Sequence, residues 1–398
     1  DRAPTRPKFN TESYDKIDGR PFKLALNNPL STFSIDVDTA SYANARRFIE
    51  RQNRLPPKDA VRIEEFINYF TYDYDGPAGD APFAVQTEVS TAPWNPAHRL
   101  VHIGIQGRKI ATDKLPPSNL VFLIDVSGSM RSRNKLPLLK QAFNLLVNQL
   151  RPQDRVAIVV YASASGLVLP STPGSHRGQI MSAITNLRAG GSTAGGAGIK
   201  LAYQVARENF VKGGTNRVIL ATDGDFNVGV SSNAALERLI AKERKTGVFL
   251  TILGFGRGNY KDARMERLSN KGNGNAAYID NLLEAKKVLV TEMGGTLMTI
   301  AKDVKIQVEF NPNKVKGYRL IGYENRALAN RDFNDDKKDA GELGAGHTVT
   351  ALYEIVPAGS TEPVPGTDPL KYQTRAIKKT GANTDEMLTV KLRFKKPQ

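Results

Sequence analysis

Five oxygen-bearing side chains in this chain of 398 residues could do chemistry together: Asp125, Ser127, Ser129, Thr193 and Asp223. Carboxylate and hydroxyl oxygens are the ligands that a hard divalent cation prefers, and Mg²⁺ takes them in a near-octahedral shell. Three hydroxyls and two carboxylates, with one or both carboxylates held through water, leave a coordination position open. A carboxylate from an Asp or Glu of a partner protein fits that position, so the set predicts metal-dependent binding rather than catalysis.

The five side chains lie where predicted strands end. The apolar runs 120–124 and 217–221 come directly before Asp125 and Thr222-Asp223, and 190–196 is a glycine-rich loop that carries the threonine. In open α/β sheets, ligands bind outside the carboxyl ends of the strands at a topological switch point. We therefore expect the three segments to converge on one spot.

Strands and helices alternate through the central part of the chain, which favours a parallel sheet covered on both faces. The predicted strands are 119–125, 155–161, 217–222 and 248–254, with weaker ones at 166–169 and 276–279. The predicted helices are 135–150, 176–187, 197–210, 233–245, 262–270 and 281–300.

Asp-x-Ser-x-Ser, a loop threonine and Thr-Asp-Gly, in this order, resemble the von Willebrand factor A-domain family and its metal-ion-dependent adhesion site. By that resemblance Ser127, Ser129 and Thr193 are hydroxyl ligands, and Asp125 and Asp223 bind directly or through water. The resemblance implies Mg²⁺ as the ion, with Mn²⁺ or Ca²⁺ as alternatives, and a protein that binds other proteins without catalysis. It also implies a doubly wound, mostly parallel six-stranded sheet.

The length predicts more than one domain. We expect an extended arm over 1–29, an α+β segment over 30–116, the A domain over 117–301 and a sandwich-like β part over 302–398. The segments before and after the A domain are predicted to form one β-rich body into which that domain is inserted. Their helices are predicted at 39–53 and 57–70, and their alternating strands at 31–37, 83–89, 99–105, 304–310, 318–323, 348–355 and 387–394.

Two segments outside the A domain, 29–42 and 57–69, resemble a set of bacterial cell-envelope proteins in which an A domain lies between an amino-terminal segment and a β region. The resemblance implies an exported adhesion or scaffolding protein, periplasmic or at the cell surface, with a lipid anchor on the precursor as one alternative. Because Asp1 follows no basic and apolar leader, we expect a mature or trimmed chain.

Composition limits the function classes. The formal net charge is +16, which favours acidic partners and anionic envelope components, whereas no specific nucleic-acid-binding motif accompanies the charge. The chain has no cysteine, which excludes disulfides and thiolate sites. No apolar run approaches the roughly 20 residues of a membrane-spanning helix.

Two other functions stay open on the sequence alone. Asp36 and Asp38 follow a short apolar run, and this Asp-x-Asp pattern resembles the nucleophile motif of haloacid-dehalogenase-type phosphatases, which need magnesium. Position 40 is Ala where that motif usually has Thr or Val. The second alternative is a degenerate A domain that acts as a scaffold without metal.

Overall fold

The computed structural model of the chain describes residues 12–192, 195–224, 233–257, 260–292, 297–365 and 384–397. Within them the strands are β1 Lys23–Leu24, β2 Leu30–Ser34, β3 Phe83–Ala92, β4 Asn95–Gly107, β5 Ser118–Asp125, β6 Arg155–Tyr161, β7 Ser165–Pro173, β8 Thr215–Thr222, β9 Phe249–Phe255, β10 Ala276–Ile279, β11 Thr299–Phe310, β12 Val315–Ile321, β13 Gly341–Gly344, β14 Thr348–Pro357 and β15 Leu388–Lys395. The α-helices are α1 Ala40–Gln52, α2 Ile63–Ile67, α3 Leu136–Val147, α4 Arg177–Asn186, α5 Gly195–Glu208, α6 Asn233–Glu243, α7 Asp262–Lys271 and α8 Leu282–Lys286.

The chain divides into two compact units, each built from separate stretches of sequence. The first unit holds 1–16, 38–61 and 110–298, and the second holds 17–37, 62–109 and 299–398. Both the amino-terminal and the carboxyl-terminal parts of the chain therefore contribute to the second unit.

A six-stranded sheet in the order β10-β9-β8-β5-β6-β7 forms the centre of the first unit. Its neighbouring strands are parallel except β7, which pairs antiparallel with β6. The second unit adds further β-rich sheets, so the predicted fold class, a doubly wound and mostly parallel sheet with a β-rich body, is confirmed.

Strand β5 explains why this sheet needs helices on both faces. Its residues 119–125 are all buried, and successive side chains of a strand point to opposite faces. Leu120, Phe122 and Ile124 pack in one apolar cluster, and Val121 and Leu123 pack in another. A continuous apolar run is therefore required here. A strand with one face exposed to solvent would instead alternate apolar and polar residues.

Helix α3 covers one face of the sheet with a single apolar side. Leu139, Ala142, Phe143 and Leu146 recur at helical spacing and are buried in the same cluster as Phe122. The ring centroids of Phe122 and Phe143 are 4.3 Å apart. This packing fixes the helix that follows the Asp125 turn.

Two predicted helices differ from the structure. The range 57–70 holds a 3₁₀ turn at Lys58–Ala60 and the short α2, because Val61 and Arg62 between them have extended backbone. The range 281–300 holds α8 and a π-helical turn at Lys287–Thr291, and β11 already begins at Thr299. The residues 293–296 of that prediction lie outside the described part.

The second unit contains two sheets. One has the order β1-β12-β14-β4-β3, and in the other β11 pairs with β13, β15 and β2. Their inner faces form one apolar cluster that includes Phe33, Val101, Ile306 and Tyr353. The sequence does not predict strands β1 and β13. β1 has two residues and β13 has four residues with glycine at both ends, so neither shows an alternation of apolar and polar side chains.

Helix α1 belongs to the first unit, although the predicted 30–116 segment placed it with the β-rich body. Arg46 on α1 donates from Nε to Asp280 Oδ2 at 3.0 Å and from Nη2 to Glu284 Oε2 at 2.8 Å, just after β10. Arg47 on the same helix pairs with Glu12 at 2.8 Å. These ion pairs, between residues far apart in sequence, are the reason for the difference.

Candidate metal-binding site

The two predicted carboxylates lie at the ends of neighbouring parallel strands. Asp125 is the last residue of β5, Asp223 follows the last residue of β8, and the register pairs Ile124 with Ala221. The chain passes from β5 to β6 on one side, whereas β8 flanks β5 on the other. The carboxylates therefore lie at the switch point of the sheet, where ligands of such folds bind.

The turn after β5 brings two hydroxyls together. Ser127 N donates to Asp125 Oδ1 at 2.9 Å, and Ser127 then precedes a 3₁₀ turn at Gly128–Arg131. The Oγ atoms of Ser127 and Ser129 are 3.0 Å apart. Ser127 is buried and Ser129 is exposed, so the pair of hydroxyls leads from the interior to solvent.

The glycine-rich loop lies beside this turn through two backbone hydrogen bonds. Gly190 N donates to Val126 O at 2.8 Å, and Gly128 N donates to Gly191 O at 3.0 Å. Gly191 has a φ of 80°, a conformation that favours glycine. Thr193, the predicted loop ligand, lies outside the described residues.

Asp125 is held in a buried network. Its Oδ2 accepts hydrogen bonds from the hydroxyl of Tyr161 at 3.1 Å and, more weakly, from that of Thr222 at 3.4 Å. Burial raises the pKa of Asp125 to about 6, hydrogen bonds from Ser127 oppose the rise, and the nearby Asp223 charge adds to it. Two acidic groups that repel each other in the interior indicate a place that favours a cation.

A lysine already supplies one positive charge at this place. Lys135 Nζ donates to Asp223 Oδ2 at 2.7 Å, and both side chains are buried. The ammonium neutralises one of the two carboxylates, so Asp125, Asp223 and Lys135 together carry a formal charge of −1 when both aspartates are ionised.

The donor set fits a hard divalent ion. Two carboxylates and two hydroxyls at the ends of β5 and β8 supply oxygen ligands only, which Mg²⁺, Mn²⁺ and Ca²⁺ prefer. Of the five predicted ligands, the structure brings Asp125, Ser127 and Ser129 together in the turn after β5. Asp223 lies close enough for its charge to raise the pKa of Asp125.

Three residues of the network were not predicted from the sequence: Lys135, Tyr161 and Thr222. Lys135 was assigned only to a helix start, and Tyr161 only to a strand. Thr222 lies next to a predicted ligand and was the easiest of the three to find. Tyr161 is the last residue of β6, which is parallel to β5, and the register pairs Tyr161 with Asp125. A prediction of the strand order would have placed the two residues side by side.

The phosphatase-type aspartates have other surroundings. Strand β2, which precedes Asp36, pairs antiparallel with β11 and is not part of the mostly parallel six-stranded sheet. Asp36 is paired with Arg326 at 2.8 Å in the second unit. Asp38, in the first unit, accepts a hydrogen bond from the backbone N–H of Ala276 at 2.8 Å. Both carboxylates thus have structural partners.

Three family models match successive parts of the chain. Residues 119–290 match the von Willebrand factor type A domain, and 8–102 match a model described as von Willebrand factor. Residues 295–398 match one described as "Uncharacterized protein YfbK, C-terminal". Residues 119–290 therefore form a von Willebrand factor type A domain. Domains of this class support protein–protein interaction and are generally non-enzymatic.

The relatives extend the match to the whole chain. Identity is 48% over 395 residues with "Uncharacterized protein YfbK" of Escherichia coli (strain K12), covering 98% of this chain and 68% of that protein. The chain belongs to the family of this bacterial protein. Human inter-alpha-trypsin inhibitor heavy chain H4 is 28% identical over 149 residues, covering 35% of this chain and 16% of its own.

Among solved structures, a von Willebrand factor type A protein from Catenulispora acidiphila is similar. The TM-score is 0.45 at 18% identity, covering 72% of this chain and 66% of that one. In the described residues no helix is both long enough and apolar enough to cross a membrane.

Proposed function

We propose that the chain binds a protein partner in the bacterial cell envelope through a divalent metal ion, with Mg²⁺ as the ion and Mn²⁺ or Ca²⁺ as alternatives. Asp125, Ser127, Ser129 and Asp223 hold the ion, and Thr193 completes the set. A bound ion of this kind supplies a positive centre with one open coordination position, which accepts an Asp or Glu carboxylate of the partner.

The observation that carries the proposal is the pair of Ser127 and Ser129 hydroxyls, 3.0 Å apart, beside two buried carboxylates at the switch point of the sheet. Helix capping does not explain this arrangement, because Ser127 makes no side-chain cap of the turn that it precedes. Both hydroxyls are placed to serve one ligand.

Each residue of the site has a separate task. Asp125 orders the turn by accepting a hydrogen bond from Ser127 N. The hydroxyl of Tyr161 donates a hydrogen bond to the other oxygen of that carboxylate and orients it. Lys135 holds Asp223 and reduces the negative charge that must be buried before an ion arrives. Ser129, the exposed ligand, lies where a partner approaches.

The location in the envelope rests on other features. Segments 29–42 and 57–69 resemble bacterial cell-envelope proteins, and the net charge of +16 suits a compartment with anionic polymers and lipid surfaces. On this basis we propose that the protein is exported, periplasmic or at the cell surface, with a lipid anchor on the precursor as one alternative.

Calorimetric titration with Mg²⁺, Mn²⁺ and Ca²⁺ tests the proposal. We expect saturable heats from the wild type and none from Asp125→Ala. Ser129→Ala removes one ligand from an exposed position and should weaken binding. Ser175→Ala, an equally exposed serine in another turn, is the matched control and should bind as the wild type.

Equal heats from the wild type and Asp125→Ala would overturn the metal site and favour the scaffold without metal. The Lys135–Asp223 ion pair is the observation that supports this second candidate, because it neutralises a buried carboxylate with no ion. The two candidates differ further in EDTA, which should release a partner held by metal and leave a partner held by a scaffold.

A further inference from the structure

A cavity of about 510 Å³ opens in the first unit, next to the candidate metal site. Its size lies within the roughly 300–1,000 Å³ of small-ligand clefts. It is bounded by helix α1, the segment before α3, and the ends of β9 and β10. The lining residues used below are Arg47, Arg51, Arg133, Gly256, Arg257, Asp280 and Leu282.

Three arginines from three different segments line this cavity. Arg51 is in the last turn of α1, Arg133 precedes α3, and Arg257 follows β9. All three side chains are exposed, and none forms an ion pair or hydrogen bond within the described residues. Three guanidinium groups facing one cavity would repel each other without an anion between them.

The other charged groups of the lining are already paired. Arg47 is buried and bound to Glu12 at 2.8 Å. Asp280 is bound by Arg46, whose Nε lies 3.0 Å from its Oδ2. The charge that a ligand meets therefore comes from Arg51, Arg133 and Arg257.

The cavity also has an apolar edge. Leu282, at the start of α8, lines the cavity and is 40% exposed. An exposed leucine makes no favourable contact with inorganic phosphate or a nucleic-acid backbone. A peptide that carries both acidic and apolar side chains can contact the arginines and this leucine together.

Lys135 connects the cavity with the candidate metal site. Its aliphatic stem packs so closely against Gly256, in the cavity wall, that a Cβ on that glycine would overlap it. The ammonium at the end of the same stem bonds Asp223. Arg133 is two residues before Lys135 in the chain. The cavity and the candidate metal site therefore share Lys135 as a neighbour.

We propose that this arginine cavity binds an acidic peptide segment of the protein partner that also carries an apolar side chain. The proposal rests on the proposed function only in taking the ligand to be part of a protein. The arginines contribute affinity that does not require metal.

Fluorescence anisotropy with a labelled Glu-Asp-Leu-Glu-Asp peptide tests the proposal, in EDTA and in Mg²⁺. The variant carries Arg51→Gln, Arg133→Gln and Arg257→Gln. The control carries Lys200→Gln, Lys212→Gln and Arg238→Gln, which removes the same charge from exposed positions of the same unit outside the lining. A Gln-Asn-Leu-Gln-Asn peptide controls for charge on the ligand.

We expect about threefold weaker binding for each single arginine and about 30-fold for the triple variant, in EDTA as well as in Mg²⁺. The control should bind as the wild type does. Because the arginines are exposed, circular dichroism should show an unchanged fold. The three single variants carry the test if the triple variant fails to fold.

Three results would overturn the proposal. The control variant could weaken binding as much as the cavity variant, which would indicate net charge alone. The neutral peptide could bind equally well. Phosphatidylglycerol vesicles, and not the acidic peptide, could depend on the three arginines. Peptide binding that depends on the arginines but is unchanged by Mg²⁺ and by Asp125→Asn would support the cavity proposal. The same result would count against the proposed metal-dependent function.

Discussion

Replacing Lys135 with methionine separates the two ways in which the candidate site can be neutralised. The change keeps a long aliphatic side chain against Gly256 and removes only the ammonium that bonds Asp223. Without metal, Asp223 then becomes a buried carboxylate that has lost its lysine. With metal, the divalent ion replaces the missing charge.

The structure gives the magnitude. Asp223 is fully buried and Lys135 nearly so, and loss of one partner of a buried ion pair costs about 3–5 kcal/mol. We expect Lys135→Met to lose about 3 kcal/mol of unfolding free energy in EDTA and to recover most of it at saturating Mg²⁺. By linkage, the Kd for Mg²⁺ should fall about 100-fold.

Urea unfolding in EDTA and in Mg²⁺, followed by calorimetric titration, measures both effects. Lys140→Met is the matched control, because Lys140 on α3 donates to the backbone carbonyls of Thr185 and Leu187 and has no link to the site. We expect the control to lose the same small amount of stability in either buffer and to bind Mg²⁺ as the wild type does.

A Lys135→Met protein that stays equally destabilised with and without Mg²⁺, and whose affinity for the ion does not rise, would refute this reasoning. It would mean that the ammonium and the ion do not compensate the same buried charge. The lysine would then be a structural ion pair only.

Three further changes test separate parts of the structure. Burial raises the pKa of Glu64 from 4.5 to about 7, so the folded chain holds a proton that the unfolded chain releases in that window, and stability falls as pH rises through it. At about 1.36 kcal/mol per pKa unit, the unfolding free energy lost above pH 7 is about 3 kcal/mol. The variant Glu64→Gln cannot ionise, so urea unfolding should show it more stable than the wild type at pH 8 and equal to it at pH 4. Gly256→Ala adds a Cβ at a φ of 83° against the Lys135 stem, and should lower the unfolding free energy by at least about 1–3 kcal/mol, whereas an unchanged melting curve would contradict the packing. Tyr161→Phe removes a hydroxyl that orients Asp125, and should weaken Mg²⁺ binding about tenfold in calorimetry. An unchanged affinity would contradict this orienting role.

The sequence predicts the inner strands β5, β6, β8 and β9 well because each is an apolar run buried on both faces. Strand β5 illustrates this, since the short apolar run 120–124 is typical of a fully buried strand. Four of the five predicted site residues could be found for the same reason: they directly follow, or lie close to, the ends of such runs.

What the sequence did not predict depends on contacts between distant residues. Lys135 joins the site only because its side chain reaches Asp223, 88 positions later in the chain. Helix α1 joins the first unit through distant contacts, such as those of Arg46 with Asp280 and Glu284 and the packing of Ala40 and Ala43 in the cluster of Val121 and Leu123. Neither partner is visible in periodicity or composition.

The central claim is that Ser127, Ser129 and the two aspartates hold one divalent ion. The most direct test is an anomalous difference map from crystals soaked in Mn²⁺. We predict a peak at about 2.0–2.6 Å from the Oγ atoms of both serines, next to Asp125 and Asp223. A map with no peak there at a saturating Mn²⁺ concentration would contradict the account.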